Sequence, residues 1–415
     1  MTENRNVVLV TVDSLRADFC GFMGSDRGLT PNLDRHADAG LVFEHAVAPG
    51  PSTLDAMPGV FTGADLVDGR GDESPRTRVR HHLRARETIA ERFAARGYDT
   101  AGFTANPWTS RGYGFDAGFD HFEDFLDDGN GSTEGTSTNG GDEARGSAPT
   151  SLRLLRRWTG ESNMFQSWDS FYEDAVAWTA SADEPYFLWL FLVDAHMPYL
   201  PVEAPRSQSW LWTYAANLWL YLTGHDAGRL EWAFRDALIR AYEDTVRYTD
   251  RRFDRLLGDL ADDDPVVVFH ADHGEAFGEG GVYGHGPRLS EEQVHVPLLV
   301  ANGPTGRVDR PFSLCDLSDL LLALGAGEGD IDDLTEPYVG TRNRDPKFAL
   351  RGRAWKYLED GGDATLTAID EEDPSLPASD LRSIAEAEVT RWKAHERERT
   401  RVAEAAREVA AVEDL

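Results

Sequence analysis

Val266-Val267-Val268-Phe269-His270-Ala271-Asp272-His273-Gly274-Glu275 is the stretch whose reading decides the fold. A run of β-branched residues and a phenylalanine predicts a buried strand. It stops at side chains able to hold a metal, and a glycine then lets the backbone turn sharply. Parallel sheets place their chemistry at such strand ends. A single Asp-His pair fits equally well a polar loop whose histidines only make hydrogen bonds, so partners must come from other strand ends.

Working outward, Asn6-Val7-Val8-Leu9-Val10-Thr11-Val12 has the continuous apolar character of a strand buried on both faces, and Asp13 ends it. A carboxylate there is either a helix cap or a ligand in the crevice of the sheet. Arg16 follows in the turn and is a candidate substrate contact. Tyr186 to Val193 predicts another buried strand, ending in Asp194-Ala195-His196; on an extended backbone these two polar residues point to the same side. Tyr98 to Ala105 leads to Asn106, which is either a substrate contact or a loop-stabilising amide. The loop Pro49-Gly50-Pro51-Ser52-Thr53-Leu54 opens a short helix reaching Thr62-Gly63. Ser52 or Thr53 could cap that helix, and a hydroxyl at a helix N-terminus could equally be a nucleophile. Gly284-His285-Gly286 adds a histidine in a tight loop, but the glycines around it match neither nucleotide-binding pattern.

The 415 residues suffice for one large α/β core and a smaller subdomain. A net charge of -32 argues against nucleic acid and anionic membranes as partners, because the long-range field repels both. Lys347, Lys356 and Lys393 are the only lysines, and this acidic, lysine-poor surface resembles that of proteins from salt-loving microbes. Two distant cysteines, Cys20 and Cys315, predict no disulfide framework. The short polar N-terminus runs straight into a strand too short for an export signal of the usual form, so the expected location is cytoplasmic.

These patterns predict a large α/β domain over 1–335 and a small α+β subdomain over 336–415. Residues 127–150, rich in Gly, Ser, Thr and acids, read as a surface insertion. Trp210 to Leu222 is strongly apolar yet shorter than a membrane span. Packing against the core, a protein partner or a second copy is its main reading, and a membrane-facing patch is the alternative.

The ordered set Val7 to Arg16, Ser52-Thr53-Leu54 with Thr62-Gly63, Gly97-Tyr98-Asp99-Thr100, Asp194 to Tyr199, Ala271 to Glu275 and Gly284-His285-Gly286 resembles the sulfatase-like branch of the alkaline phosphatase superfamily. Trp355-Lys356-Tyr357 and Ile369 to Pro374 resemble its C-terminal ending. The resemblance implies that 1–335 is a catalytic α/β domain built on a doubly wound, alkaline-phosphatase-like mixed sheet between helices. It implies a small anionic ester as substrate and a divalent metal (Mn, Zn or Mg, with Ca also possible; one ion or two) on Asp13, Asp272, His273 and the Thr53 hydroxyl. Asn106, His196 and His285 would meet substrate or leaving group, with Arg16 and Ser52 nearby. Thr53 falls at the nucleophile position, but Thr53-Leu54-Asp55-Ala56-Met57 lacks the Cys/Ser-x-Pro-x-Arg pattern from which sulfatases make formylglycine. Ser14 likewise stands where many sulfatases carry an acidic ligand. The expectation is therefore phosphate mono- or diester hydrolysis; a sulfatase lacking the usual motif and an inactive interaction scaffold are the alternatives.

Overall fold

The computed structural model describes residues 4–66, 73–125, 166–201, 206–223, 230–286, 288–327, 331–343, 347–369 and 378–413. The expected insertion at 127–150 and residues 370–374 of the C-terminal resemblance lie outside them.

Val7–Val12, every residue buried, is the central strand of an eight-stranded sheet. Tyr186–Leu192 and Val266–Ala271 flank it in parallel, each buried along its whole length. This explains the unbroken apolar runs: a strand covered on both faces has no solvent side on which to alternate. Asp99–Thr104 and then His121–Glu123 continue the parallel order on one side. On the other, Leu298–Ala301 pairs antiparallel with Val266–Ala271, followed by Leu41–Phe43 and Gly306–Val308. The sheet is thus mixed, as expected of the fold.

Helices cover both faces. Phe93 of the Ile89–Ala94 helix stacks on Phe187 at 4.3 Å, and Phe253 of the Glu231–Asp259 helix meets Phe269 edge-on at 5.0 Å. Phe187 is in register with Val7 and Phe269 with Val10; an odd separation along a strand places them on opposite faces. Each such ring, fully buried, stabilises the fold by about 1.5–3 kcal/mol.

The C-terminal part is a four-stranded antiparallel sheet, Tyr338–Arg342, Lys347–Gly352, Trp355–Asp360 and Asp363–Ala368, followed by the helix Ala378–Glu413. Phe348, Leu350, Trp355 and Tyr357 form a small core with Ala385 and Val389 of that helix. Tyr338–Arg342 is short and carries Gly340 in its middle, which weakens its β signature.

One local expectation is corrected. The chain leaves the sheet at Val193 and turns, so Asp194 and His196 do not share a side. The Asp194 carboxylate accepts hydrogen bonds from the Trp168 N–H at 3.3 and 3.2 Å, whereas the His196 ring faces His285 at 5.0 Å.

Candidate active site and metal centre

Register brings the functional strand ends to one level. Val12 is paired with Ala271 on one side and Leu192 on the other, and Thr104 with Phe191. Because these strands are parallel, Asp13, Asp272 with His273, the His196 turn and Asn106 all emerge at the carboxyl edge of the sheet.

Asp13 and Asp272 are completely buried side by side. Ser14 sits between them in the left-handed region (φ 64°), a conformation that costs a non-glycine residue about 1–2 kcal/mol. That turn lets its N–H donate to Asp272 Oδ1 at 3.3 Å while its hydroxyl donates to Asp13 Oδ1 at 2.9 Å. Asn106 donates to Asp13 Oδ2 at 2.7 Å and lies 3.5 Å from Thr53 Oγ1, while its own oxygen accepts from the Trp108 N–H. The loop-amide role expected of it is filled by the bond to Trp108, while its Nδ2 faces Asp13 and Thr53.

His273 is fully buried, and its Nδ1–H donates to the Gly274 carbonyl at 2.8 Å. This bond leaves the Nε2 lone pair directed at the cluster, 3.5 Å from Asp13 Oδ1, 3.6 Å from Asp272 Oδ2 and 3.4 Å from Thr53 Oγ1. Burial, and then the neighbouring His285, lower its pKa and keep it neutral, as a metal ligand must be. His270, three residues earlier, is a different kind of histidine. Its Nε2 accepts from the Thr11 hydroxyl at 2.8 Å, which accepts in turn from Trp189 Nε1–H, and burial pushes its pKa down to about 4. It is a satisfied core residue.

Gly274 cannot be anything larger. A Cβ there would meet the Glu292 carbonyl oxygen at 2.0 Å, and its N–H donates to the Gln293 carbonyl.

Thr53 opens the helix Thr53–Thr62, with Ser52 at the N-cap position. The Ser52 hydroxyl does not cap the helix; it donates to Asp55 Oδ2 at 2.7 Å. Thr53 is the hydroxyl that reaches His273 and Asn106.

The residues fit a divalent metal. Asp13, Asp272 and His273 each offer one ligand atom, all within 4.8 Å of one another, and Asp272 Oδ2 is buried with no hydrogen-bond partner. Burial, reinforced by repulsion from Asp272, pushes Asp13 up to about 7; burial does the same to Asp272 against its hydrogen bonds. Two buried carboxylates held this close need a cation. A second, half-buried group, Glu44, His45 and Asp309, also has ligand spacing. There, however, Arg307 already pairs with Glu44 at 2.6 Å and Arg353 with Asp309 at 2.8 Å.

Around the acids stands an arc of imidazoles: His285 lies 4.8 Å from His273 and 5.0 Å from His196. The His196 Nδ1–H donates to the Met197 carbonyl. Sequence reasoning missed Glu275 as a functional residue. It is fully buried with its Oε1 3.5 Å from His285 Nδ1, and it also adjoins Tyr199. Burial would lower the His285 pKa; Glu275, then Asp13 and Asp272, raise it instead to about 9. The only signal in the sequence was an acid directly after a glycine at a buried strand end.

Arg16 points elsewhere. It is buried, its guanidinium pairs with Asp18 at 2.7 Å and Glu279 at 2.9 Å, and it donates to the Glu275 carbonyl at 3.0 Å. It thereby fixes the loop behind Glu275.

A parallel-centred α/β sheet with buried acids, imidazoles and a helix-terminal hydroxyl at its carboxyl edge has the ester-hydrolase fold of the alkaline phosphatase superfamily. A solved member of that superfamily from Vibrio parahaemolyticus superposes with a TM-score of 0.62 at 18% identity, covering 96% of this chain and 88% of that one. The chain belongs to the Sulfatase family, whose model matches residues 5–323. Among curated relatives, phosphoethanolamine transferase EptA of Salmonella typhimurium is 34% identical over 82 residues (18% of this chain, 15% of that protein). An arylsulfatase of Clostridium perfringens is 33% identical over 96 residues (23% and 19%). These alignments therefore span less than a fifth of either relative's length.

Proposed function

We propose that this protein hydrolyses anionic phosphate esters through a covalent phosphothreonine at Thr53. The observation that carries the reading is the Thr53 hydroxyl at a helix N-terminus, 3.4 Å from His273 Nε2 and 3.5 Å from Asn106 Nδ2, in a loop without the formylglycine pattern. A divalent ion held by Asp13, Asp272, His273 and that hydroxyl would favour its deprotonation and offset the charge of the ester.

The chain's own groups supply the rest. Asn106 orients Thr53 and donates toward the cluster. Thr53 Oγ1 bonds to phosphorus as the ester P–O bond breaks, and protonated His285 gives its proton to the departing alcohol oxygen. His196, beside His285, contacts the same leaving group. Water then attacks phosphorus as the Thr53 Oγ1–P bond breaks, one of its protons replacing the one that Thr53 gave up to solvent, and a monoester yields phosphate where a diester yields a monoester. The positive end of the Thr53–Thr62 helix favours the anion throughout.

The test is a metal-reconstituted assay against matched phosphate monoester, phosphate diester and sulfate ester substrates. Thr53→Ala should lower phosphate-ester turnover by at least about a thousandfold while Ser52→Ala remains within about tenfold of the parent. Full turnover in Thr53→Ala with loss in Ser52→Ala would refute the nucleophile. The short match to an arylsulfatase supports a second reading, sulfate ester hydrolysis, which dominant cleavage of the sulfate substrate would establish instead.

A further inference from the structure

The helix Trp210–Thr223 contains no charged residue, in a chain that is 27% charged overall. At 100° per residue its buried positions, Thr213, Ala216, Asn217, Trp219 and Leu220, face the protein. The side away from them carries Trp210, Leu211, Trp212, Tyr221 and Leu222, all exposed. Trp210, Leu211 and Leu222 are 61%, 64% and 70% exposed, and Trp232 on the next helix is 83% exposed. A helix apolar all round is ordinarily enclosed by protein or lipid. This one is enclosed on one side only, and at 14 residues it falls short of the ~20 needed to cross a bilayer. Among the described residues no helix is long and apolar enough to do so.

The same helix braces the site. Asn217 accepts from the Tyr199 N–H at 2.8 Å and donates to its carbonyl at 3.1 Å, holding the turn that carries His196. Trp219 packs edge-on against Tyr283 at 5.3 Å, two residues before His285. Whatever covers the outer face is therefore brought close to the imidazole wall.

Charge identifies the occupant. Pairing two copies through this face would bring together chains of net charge -32 each, and an anionic bilayer would be repelled for the same reason. A zwitterionic lipid surface carries no net charge and accepts tryptophan, tyrosine and leucine at its headgroup boundary. We propose that the outer face of Trp210–Thr223 seats the protein on a zwitterionic lipid surface, and that the ester taken at the site is one presented there by an amphiphile. The second half rests on the hydrolase reading above.

The experiment uses the full chain with divalent metal and vesicles of phosphatidylcholine or of phosphatidylglycerol. Flotation and quenching of tryptophan emission by brominated acyl chains report docking, and turnover of a soluble phosphate ester is followed separately. The protein should float with phosphatidylcholine, and less with phosphatidylglycerol. The W210S/L211S/L222S variant should lose at least about tenfold in vesicle affinity while keeping soluble-ester turnover. If that variant fails to fold, W232S alone should still reduce quenching. Absence of flotation, equal or stronger binding to phosphatidylglycerol, or a dimer that the triple variant converts to monomers would overturn the docking proposal. Flotation with no soluble-ester turnover would sink the hydrolase reading and the substrate half with it, leaving the docking half standing.

Discussion

The carboxylates of Asp13 and Asp272 and that of Glu291 are treated in opposite ways. Glu291, at the start of the short helix Glu291–Val294, is gripped by Lys356 on one oxygen and Arg351 on the other, both at 2.8 Å. Burial would raise its pKa, but Lys356 and then Arg351 overcome that and hold it down to about 2. Asp13 and Asp272 are more deeply buried and stay near 7. Glu291 is given protein cations, whereas Asp13 and Asp272 are left to be balanced by something that binds. What sets this pair apart from Asp250, which is also buried and raised to about 6 but is held by Asn32 and Leu33, is the Asp272 oxygen left without a hydrogen-bond partner.

The comparison breaks most sharply at Asp272. Asp272→Asn should lower phosphate-ester turnover by at least about a hundredfold and reduce bound metal, read by elemental analysis after dialysis. The same swap at the paired acid, Glu291→Gln, should leave metal content unchanged. Next in size is stability: Lys356→Met leaves Glu291 short of one partner and should cost about 1–3 kcal/mol, measured by urea unfolding, the range reduced because Glu291 is partly exposed.

The pH dependence should then run in opposite directions. Asp13 and Asp272 have folded pKa values above the unfolded value of 3.8, so their contribution is fully present at low pH and is lost as pH rises through about 7. Without metal, the melting temperature should fall between pH 5 and 8, and added divalent ion should restore it most strongly at pH 8. Glu291, depressed below 4.5, contributes above that pH and loses its contribution only as pH falls toward about 2. A metal-free melting temperature that is flat across neutral pH would remove the distinction. The smallest effect is expected at Glu275. Glu275→Gln should lower the His285 pKa, shift the alkaline limb of kcat to lower pH and reduce turnover at pH 8 about three- to tenfold.

Much of this was legible before any coordinates. Fully buried parallel strands leave unbroken apolar runs, so Val7–Val12, Tyr186–Leu192 and Val266–Ala271 announced themselves, and the polar residues stopping them marked the site. Their assembly follows from register, which no local pattern encodes. That is why Glu275 was overlooked: its importance lies in His285 and Tyr199, reached only through folding. The side shared by Asp194 and His196 was misjudged because an extended backbone was assumed past Val193, where the chain turns to place Asp194 under Trp168. Trp210–Thr223 was recognisable as apolar, but which half would be covered depended on Asn217 finding Tyr199.

The missing space beside Gly274 ties the metal loop to a distant part of the chain. Its backbone is pressed against Glu292 and bonded to Gln293, and the residue before these, Glu291, is held by Arg351 and Lys356 from two strands of the C-terminal sheet. That sheet therefore works as a buttress: load on residues far from the ester passes through one salt-bridged helical turn to the backbone on which His273 is mounted. The C-terminal subdomain is thus joined to the catalytic edge through backbone next to His273 rather than through a metal ligand, so Glu291→Gln can weaken the joint and leave the ligand set in place.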